Sequence, residues 1–248
     1  MLDYKNFNVL IIGGDSDVAQ SLAKNFAKLG SDLIITSRRI NDIESFRSDL
    51  EIRYSISCET LFFDAQEFEK HKKFYENINK KPDIVISCIG YLNLQDSAEN
   101  SFTETLKSFN ANFIGLVSII NIIANDFEKK KAGTIIGISS VAGDRGIKSN
   151  YIYGSSKAGY STYLSGLRAR LNISGVRVIT VKPGFIYSKM TNHLDLPKIL
   201  TAKADEVATS IINAINKSND IIYIKPIWRW IMLFIRCLPE FIFKKIKF

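Results

Sequence analysis

Short apolar runs alternate along the chain with longer segments in which apolar residues recur at helical spacing. Phe7 to Ile12 is one such run, and the segment from Val18 to Leu29 has the helical period, with Gly30 as a stop signal. The same pattern predicts further strands at residues 32–36, 61–63, 84–87, 134–138, 176–181 and 221–224, and helices at residues 101–127, from 151 onward and at 204–216. This alternation predicts an α/β fold, a doubly wound parallel sheet with right-handed crossovers.

Length and composition indicate one main domain. The chain has 248 residues, 46% of them hydrophobic, which suffices for one substantial core. We expect residues 1–224 to form this domain and residues 225–248 to form a separate tail. No basic-then-apolar signal precedes the first strand, so a cytoplasmic location is the simplest expectation. Cys58, Cys88 and Cys237 are scattered and odd in number, which argues against a disulfide framework or a metal site.

The charge balance indicates an anionic partner. The chain has 33 Lys and Arg against 25 Asp and Glu, a formal net charge of +8. No helix-turn-helix, RNP or zinc-finger pattern is present, so we expect no nucleic-acid partner. A phosphorylated cofactor, a phosphorylated substrate or a membrane surface fits the charge better.

The stretch from Gly137 to Lys157 contains residue types suited to proton transfer. Tyr153 and Lys157 are four apart, so a helix places them on one face, about one turn from each other. Ser140 follows the predicted strand 134–138, and parallel sheets place ligand sites at the carboxyl ends of their strands. We expect the Lys157 ammonium to lower the pKa of Tyr153 from its usual value of about 10, so that the phenol can exchange a proton with a substrate oxygen. A Tyr-x-x-x-Lys pair alone is weak evidence, because such a pair is usually just an exposed helix face.

Ser140 and the stretch Tyr153 to Lys157 resemble the catalytic serine and the Tyr-x-x-x-Lys motif of the short-chain dehydrogenases/reductases. This resemblance implies a Rossmann-type fold and NAD(P)-dependent reduction of a ketone. It also implies that Tyr153 is the acid/base, that Ser140 orients the carbonyl and that Lys157 holds the nicotinamide ribose. Asn112 matches the helix asparagine that helps to hold a proton-relay water in that family. Asn110 is the alternative if the alignment is shifted by two residues, and an ordinary surface asparagine is the alternative for both.

The turn after the first strand resembles the family's phosphate-binding turn. The family motif there is Gly-x-x-x-Gly-x-Gly. In this chain its three glycine positions are occupied by Gly13, Asp17 and Ala19, so only the first is a glycine. A helix N-terminus at this position favours a phosphate. We expect Asp17 to cap the helix and Ser16 to donate a hydrogen bond to the phosphate. A capped turn without a ligand is the alternative.

The second predicted strand ends in Ser37, Arg38 and Arg39, without the acid that would hold a ribose 2′-hydroxyl. Arg38 suits the 2′-phosphate of NADP(H), with Arg39 as a second candidate, so NAD(H) is disfavoured. Two solvated arginines are the alternative. The resemblance implies further contacts with the cofactor. Asp64 would contact the adenine, and Gly90 follows the fourth strand. The Pro183–Gly184 turn would contribute together with Ile186 and Ser188, which follow it. Residues 191–202 would form a substrate lid.

The last 24 residues combine basic and aromatic side chains. Six Lys or Arg against Glu240 give this tail a charge of +5. The apolar stretch between Arg229 and Arg236 is too short to span a bilayer, which takes roughly 20 residues, and Pro239 should break its helix. This composition is typical of a segment at an anionic membrane interface. A tail packed into a subunit groove is the alternative, since a homo-oligomer is common in the family.

A narrower resemblance concerns the stretches SSVAGDRG and VKPGFIYSKMT together with the basic-aromatic tail. They resemble the ketoreductase branch that acts in decaprenylphosphoryl-ribose epimerisation. This implies reduction of a keto sugar on a polyprenyl phosphate, at the inner face of the cytoplasmic membrane. A ketoreductase of a soluble substrate, such as a 3-oxoacyl thioester or a free sugar, and a non-catalytic NADP-binding scaffold are the alternatives.

Overall fold

The computed structural model describes residues 3–188 and 196–246 and confirms the parallel sheet. Seven strands, all paired in parallel, are arranged in the order β3-β2-β1-β4-β5-β6-β9. They are β1 (Asn8–Ile12), β2 (Asp32–Ser37), β3 (Cys58–Phe62), β4 (Ile84–Ser87), β5 (Thr134–Ile138), β6 (Arg177–Pro183) and β9 (Ile221–Ile224). The order reverses between β1 and β4, which is the point at which open α/β sheets bind ligands.

Helices cover both faces of the sheet. One core lies between the sheet and α1 (Asp17–Lys28), α2 (Ile40–Tyr54) and α8 (Ala204–Asn216). The other lies between the sheet and α3 (His71–Glu76), α6 (Gly115–Lys130) and α7 (Tyr151–Leu171). Val9 and Ile11 of β1 belong to the first core, and Leu10 and Ile12 belong to the second. This is why β1 is continuously apolar, because successive side chains of a strand point to opposite faces.

The predicted helix at residues 101–127 is present with one interruption. After α4 (Gln95–Asn100), which the pattern did not predict, α5 (Phe102–Phe109) and α6 are joined by a π-helical turn, Asn110–Ile114. The continuous segment Phe102–Lys130 is long and apolar enough to cross a membrane. Its apolar side chains Leu116, Ile119 and Ile123 are fully buried in the core between α6 and the sheet. This is the environment of a core helix in a folded domain.

Several boundaries differ from the sequence prediction. Strand β3 begins at Cys58 instead of residue 61, and β6 continues to Pro183. A second, two-stranded parallel sheet joins β7 (Phe185–Tyr187) to β8 (Thr201–Lys203), so the end of the predicted lid is a strand. The part of that lid at residues 191–195 lies outside the described residues. Three-residue strands are too short to show a hydrophobic period, which is why the pattern did not predict them.

The tail folds back onto the domain. It forms α9 (Ile227–Cys237) and α10 (Glu240–Phe243), separated at Pro239 as predicted. Trp228, Met232 and Ile235 of α9 are buried and form a small apolar cluster with Val141. These three side chains therefore cover apolar surface of the body.

Candidate active site

Ser140 and Tyr153 lie near each other at the carboxyl edge of the sheet. Ser140 follows β5, and its hydroxyl accepts a hydrogen bond from the main-chain N–H of Ala142 at 3.1 Å. Tyr153 lies in the first turn of α7, and the Ser140 hydroxyl is near enough to its phenol to favour the phenolate. A Cβ on Gly154 would lie 2.7 Å from the Ala142 carbonyl oxygen, so glycine at this position allows α7 to approach the Ser140 loop.

Lys157 lies one turn further along α7 and is almost completely buried. Its Nζ donates to the carbonyl oxygens of Ile89, at 3.3 Å, and Ile138, at 3.2 Å, and lies 5.9 Å from the centre of the Tyr153 ring. Burial lowers the pKa of Lys157 to about 8, because a low-dielectric surrounding disfavours the ammonium. The group is therefore still mostly charged at pH 7.

The pKa of Tyr153 differs from the sequence expectation. Burial raises it to about 12, and the nearby Ser140 hydroxyl, which favours the phenolate, only partly opposes this. The prediction that Lys157 lowers the Tyr153 pKa below its usual value is therefore wrong. The Lys157 ammonium is held by two main-chain carbonyls instead of the phenol oxygen.

A cavity of about 650 Å³ opens above these residues and is lined from the ends of six strands. Tyr153 and Lys157 line it together with Ser140, so three of the four predicted catalytic side chains meet in one place. All predicted cofactor residues line it as well, namely Gly13, Ser16, Asp17, Arg38, Asp64, Gly90, Pro183, Gly184, Ile186 and Ser188. The volume suits an elongated ligand of cofactor size, which pockets of roughly 300–1,000 Å³ typically hold.

Asn112 is fully buried and is not part of the cavity wall. It lies in the π-helical turn, and its side-chain oxygen accepts from the main-chain N–H of Tyr91 at 2.7 Å. Its amide nitrogen donates to the Tyr91 carbonyl and to the hydroxyls of Ser108 and Ser156. The alternative, Asn110, is only half-buried, so Asn112 is the asparagine that holds the loop after β4.

The phosphate-side turn is capped by Ser16 instead of Asp17. The Ser16 hydroxyl accepts from the main-chain N–H of Ala19 at 3.1 Å, and Asp17 is the first residue of α1. The prediction that Asp17 caps the helix is thus wrong by one position. Ser16 has the extended backbone that an N-cap requires. Both residues still line the cavity, so the helix N-terminus faces it.

Asp15 is a cavity residue that the sequence analysis missed. Its carboxylate accepts a hydrogen bond from the Ser37 hydroxyl at 2.7 Å, which brings an acid to the end of β2. Arg38 lines the cavity next to it and has no ion pair among the described residues, whereas Arg39 pairs with Asp42 at 3.3 Å. Because Asp15 and Ser37 are 22 positions apart, no local pattern in the sequence could have shown their contact.

Asp144 connects three segments around the Pro183–Gly184 turn. Its carboxylate is ion-paired with Lys182, which directly precedes that turn, and accepts from the Tyr223 hydroxyl at 2.7 Å. Trp228 lies on the other side of the turn, and its indole donates to the Leu200 carbonyl at 2.9 Å. The tail is therefore part of the structure that supports this wall of the cavity.

Other chemistry is not supported in the part of the chain that the structure describes. It contains no cluster of His, Cys, Asp and Glu suited to a metal ion. Cys88 lines the cavity, but burial raises the pKa of its thiol to about 12, so it remains a protonated thiol.

The family follows from these residues and from comparison with known proteins. The family described as short chain dehydrogenase matches residues 8–198, which is most of the chain. The chain belongs to this family and is an NAD(P)-dependent oxidoreductase, as the Ser140, Tyr153 and Lys157 motif predicted.

Relatives and solved structures extend the match. An uncharacterized oxidoreductase of Mycobacterium tuberculosis is 26% identical over 240 residues, 96% of each chain. An NADP-dependent 3-hydroxy acid dehydrogenase of Schizosaccharomyces pombe is 23% identical over 74% of this chain and 73% of that protein. A short-chain dehydrogenase from Sphingobium yanoikuyae in complex with NADPH has a TM-score of 0.82 at 20% identity, covering 94% of this chain and 96% of that one. One from Burkholderia cenocepacia in complex with NADP has a TM-score of 0.83 at 18% identity, covering 95% of each chain.

Proposed function

We propose that the protein uses NADP(H) to reduce a ketone to a secondary alcohol. The observation that carries this proposal is that Ser140, Tyr153 and the buried Lys157 line one cavity at the carboxyl edge of the sheet. NADPH, when bound, supplies the hydride. The protein's residues then have to orient the carbonyl and deliver one proton to its oxygen.

Tyr153 suits the proton-donor role in this direction. Because burial raises its pKa to about 12, the phenol is protonated at neutral pH and can donate to the oxygen that gains charge. Ser140 holds that oxygen with its hydroxyl. Lys157, mostly charged at pH 7, is the candidate to hold the nicotinamide ribose. Asn112 contributes by holding the Tyr91 main chain, and its part in a water relay stays a prediction.

The choice of NADP(H) over NAD(H) rests on Arg38. Its exposed guanidinium lines the cavity at the end of β2, where charge-assisted hydrogen bonds to a 2′-phosphate would form. The solved neighbours in complex with NADPH or NADP support the same choice. Asp15 favours the other cofactor, because its carboxylate could accept from a 2′-hydroxyl and would repel a phosphate.

For the substrate, we propose a keto sugar on a polyprenyl phosphate, with the enzyme at the inner face of the cytoplasmic membrane. The narrower resemblance and the basic-aromatic tail support this. The relationship to a 3-hydroxy acid dehydrogenase favours a soluble substrate instead, for which a 3-oxoacyl thioester or a free sugar is the candidate. A non-catalytic NADP-binding scaffold would have no use for the assembled Ser140, Tyr153 and Lys157.

A homo-oligomer is a further part of the proposal. A shallow groove of about 580 Å³ is lined by residues of α7, including Gly159, Gly166 and Leu167, together with Phe113. A second copy of the chain could pack its own helices there. Light scattering on the purified protein tests this directly, and a monomer at micromolar concentration would contradict it.

The function is tested with a substrate panel. Oxidation of NADPH is followed with a lipid-linked 2-keto sugar, a free keto sugar and a 3-oxoacyl thioester. We expect turnover of the lipid-linked ketone at the highest kcat/KM. Turnover of only the thioester would replace the proposed substrate, and NADPH binding without turnover of any ketone would favour the scaffold.

A further inference from the structure

Helix α9 has two apolar faces, and the body of the protein covers only one. The inner face is the buried stripe Trp228, Met232 and Ile235. The outer face has the i, i+3, i+4, i+7 spacing of a single helix stripe and consists of Trp230, Leu233, Phe234 and Cys237. Trp230 is 67% exposed and Phe234 is 65% exposed. A helix that is apolar around most of its circumference has an apolar environment on both sides, in a core or in lipid.

The charges beside this outer face are positive. Arg229 and Arg236 are seven apart, which places them on one flank of α9, and both are exposed. Helix α10 and the residues after it add exposed Phe241 together with Lys244 and Lys245. The one acid of the tail, Glu240, is already paired with Arg145 at 2.8 Å. The surface therefore combines aromatic side chains with a net positive charge.

Arg145 holds this surface in place on the folded domain. Its guanidinium donates to the carbonyl oxygens of Ile235 and Leu238 at the end of α9, at 2.5 and 2.6 Å. It also stacks on the ring of Phe243 at 3.7 Å from its centre. A cation at the C-terminus of a helix satisfies carbonyls that have no partner within the helix. The outer face is thus a preformed surface and not a loose arm.

We propose that the outer face of α9, together with α10, docks the folded protein on an anionic lipid bilayer. Aromatic side chains flanked by Arg and Lys match the interfacial layer of such a bilayer, where the rings enter the headgroup region and the cations meet anionic headgroups. A neutral bilayer or a protein groove offers only the apolar part of this match. The charge complementarity selects the anionic lipid surface.

The inner face of α9 packs against the rim of the active-site cavity. A Cβ on Gly184, which lines the cavity, would lie 2.0 Å from the indole of Trp228, the second residue of α9. Docking through the opposite, outer face therefore places the Pro183–Gly184 wall one helix diameter, about 10 Å, from the headgroups. A benefit of docking for catalysis rests on the proposed function, because it requires a lipid-linked substrate. Docking itself requires no catalysis.

The apolar part is tested by sedimentation with vesicles of phosphatidylcholine and phosphatidylglycerol. We expect the full chain to pellet with these vesicles, and the double variant Trp230→Ser/Phe234→Ser to lose most of this binding. The matched control is Ile52→Ser/Ile173→Ser, which removes apolar residues that are 83% and 94% exposed elsewhere on the surface. This control should pellet like the parent chain. All variants should retain NADPH binding and reduction of a soluble ketone, which shows that they are folded.

The electrostatic part is tested with Arg229→Gln/Arg236→Gln against Lys72→Gln/Lys129→Gln as the control. Each basic residue near an anionic surface contributes about fivefold in affinity, so the arginine variant should bind about 25-fold more weakly at low salt. Added salt should weaken binding of the parent chain. The lysine control lies on other helices and should retain at least most of the binding.

Three results would overturn the docking surface. These are equal binding to pure phosphatidylcholine, unchanged binding of the Trp230/Phe234 variant, or conversion of a dimer to a monomer by that variant in light scattering. The last result would assign the face to a second copy of the chain. A parent chain that binds vesicles but neither NADPH nor any ketone would instead contradict the proposed function and leave the docking surface standing.

Discussion

The side-chain amide of Asn112 bonds to both main-chain polar groups of Tyr91, accepting from its N–H at 2.7 Å and donating to its carbonyl at 2.8 Å. The amide therefore satisfies both main-chain hydrogen-bonding groups of Tyr91 in the loop after β4, as a paired β-strand would. The π-helical turn of Asn112 places the amide there, and such turns are frequent at functional sites.

Replacing Asn112 should therefore disturb both stability and cofactor binding. Asn112→Ala removes the partner of both partly buried main-chain groups of Tyr91, which should cost roughly 1–3 kcal/mol of unfolding free energy. Urea unfolding and NADPH titration measure the two effects. Asn110→Ala is the control, because Asn110 lies in the same turn but is only half-buried. An equal loss in both variants would show that the turn, and not the Tyr91 contact, is responsible.

Tyr153→Phe should abolish reduction without loss of cofactor binding. The ring remains, but the phenol hydroxyl that donates the proton is removed. We expect kcat to fall about 10²–10⁴-fold, the usual contribution of a positioned acid or base. Single-turnover kinetics with NADPH measures this step. A variant with full kcat would remove Tyr153 from the mechanism.

Cofactor choice should depend on Arg38 and Asp15 in opposite directions. Arg38→Gln should weaken NADPH binding about 10–100-fold, the loss expected for hydrogen bonds to a charged group, and leave NADH binding unchanged. Asp15→Asn should strengthen NADPH binding, because a negative charge beside the 2′-phosphate is removed.

Fluorescence titration with both cofactors measures these effects. Arg39→Gln is the control, since Arg39 is already paired with Asp42. NADH binding tighter than NADPH in the parent chain would contradict the assignment.

Lys157 should make stability depend on alkaline pH. Its pKa is about 8 in the folded protein and 10.5 in the unfolded chain, so between these values only the unfolded chain holds the proton. Stability conferred by this group therefore rises with pH in that window. Relative to Lys157→Met, the parent chain should gain about 2–3 kcal/mol of unfolding free energy between pH 7 and pH 10. Urea unfolding at both pH values tests this, and a constant difference would show an unshifted lysine.

Gly184 should not tolerate even a methyl group. A Cβ there would lie 2.0 Å from the Trp228 indole, so Gly184→Ala must displace either the cavity wall or α9. We expect a loss of about 1–3 kcal/mol in unfolding free energy, together with weaker NADPH binding. Gly146→Ala is the control, since Gly146 is exposed and no atom lies within 4 Å of its added Cβ. Thermal unfolding compares the two variants.

The sequence by itself determined most strands and helices of the main sheet and the expected catalytic residues. Apolar periodicity gave the bounds of β4, β5, α8 and β9 as observed, because it records which backbone geometry buries the apolar side chains. Tyr153 and Lys157 could be placed on one face because a separation of four within a helix is a local property. Their order after Ser140 also identified the family that the comparison then showed.

Only the tertiary structure decided which distant groups meet and how deeply they are buried. It brought Asp15 to Ser37, raised the pKa of Tyr153 by burial, and turned Trp228 toward Gly184 instead of the solvent. Neither a desolvation cost nor a contact across many residues is encoded in local periodicity. Both depend on which elements pack together, so these features could be established only once the fold was known.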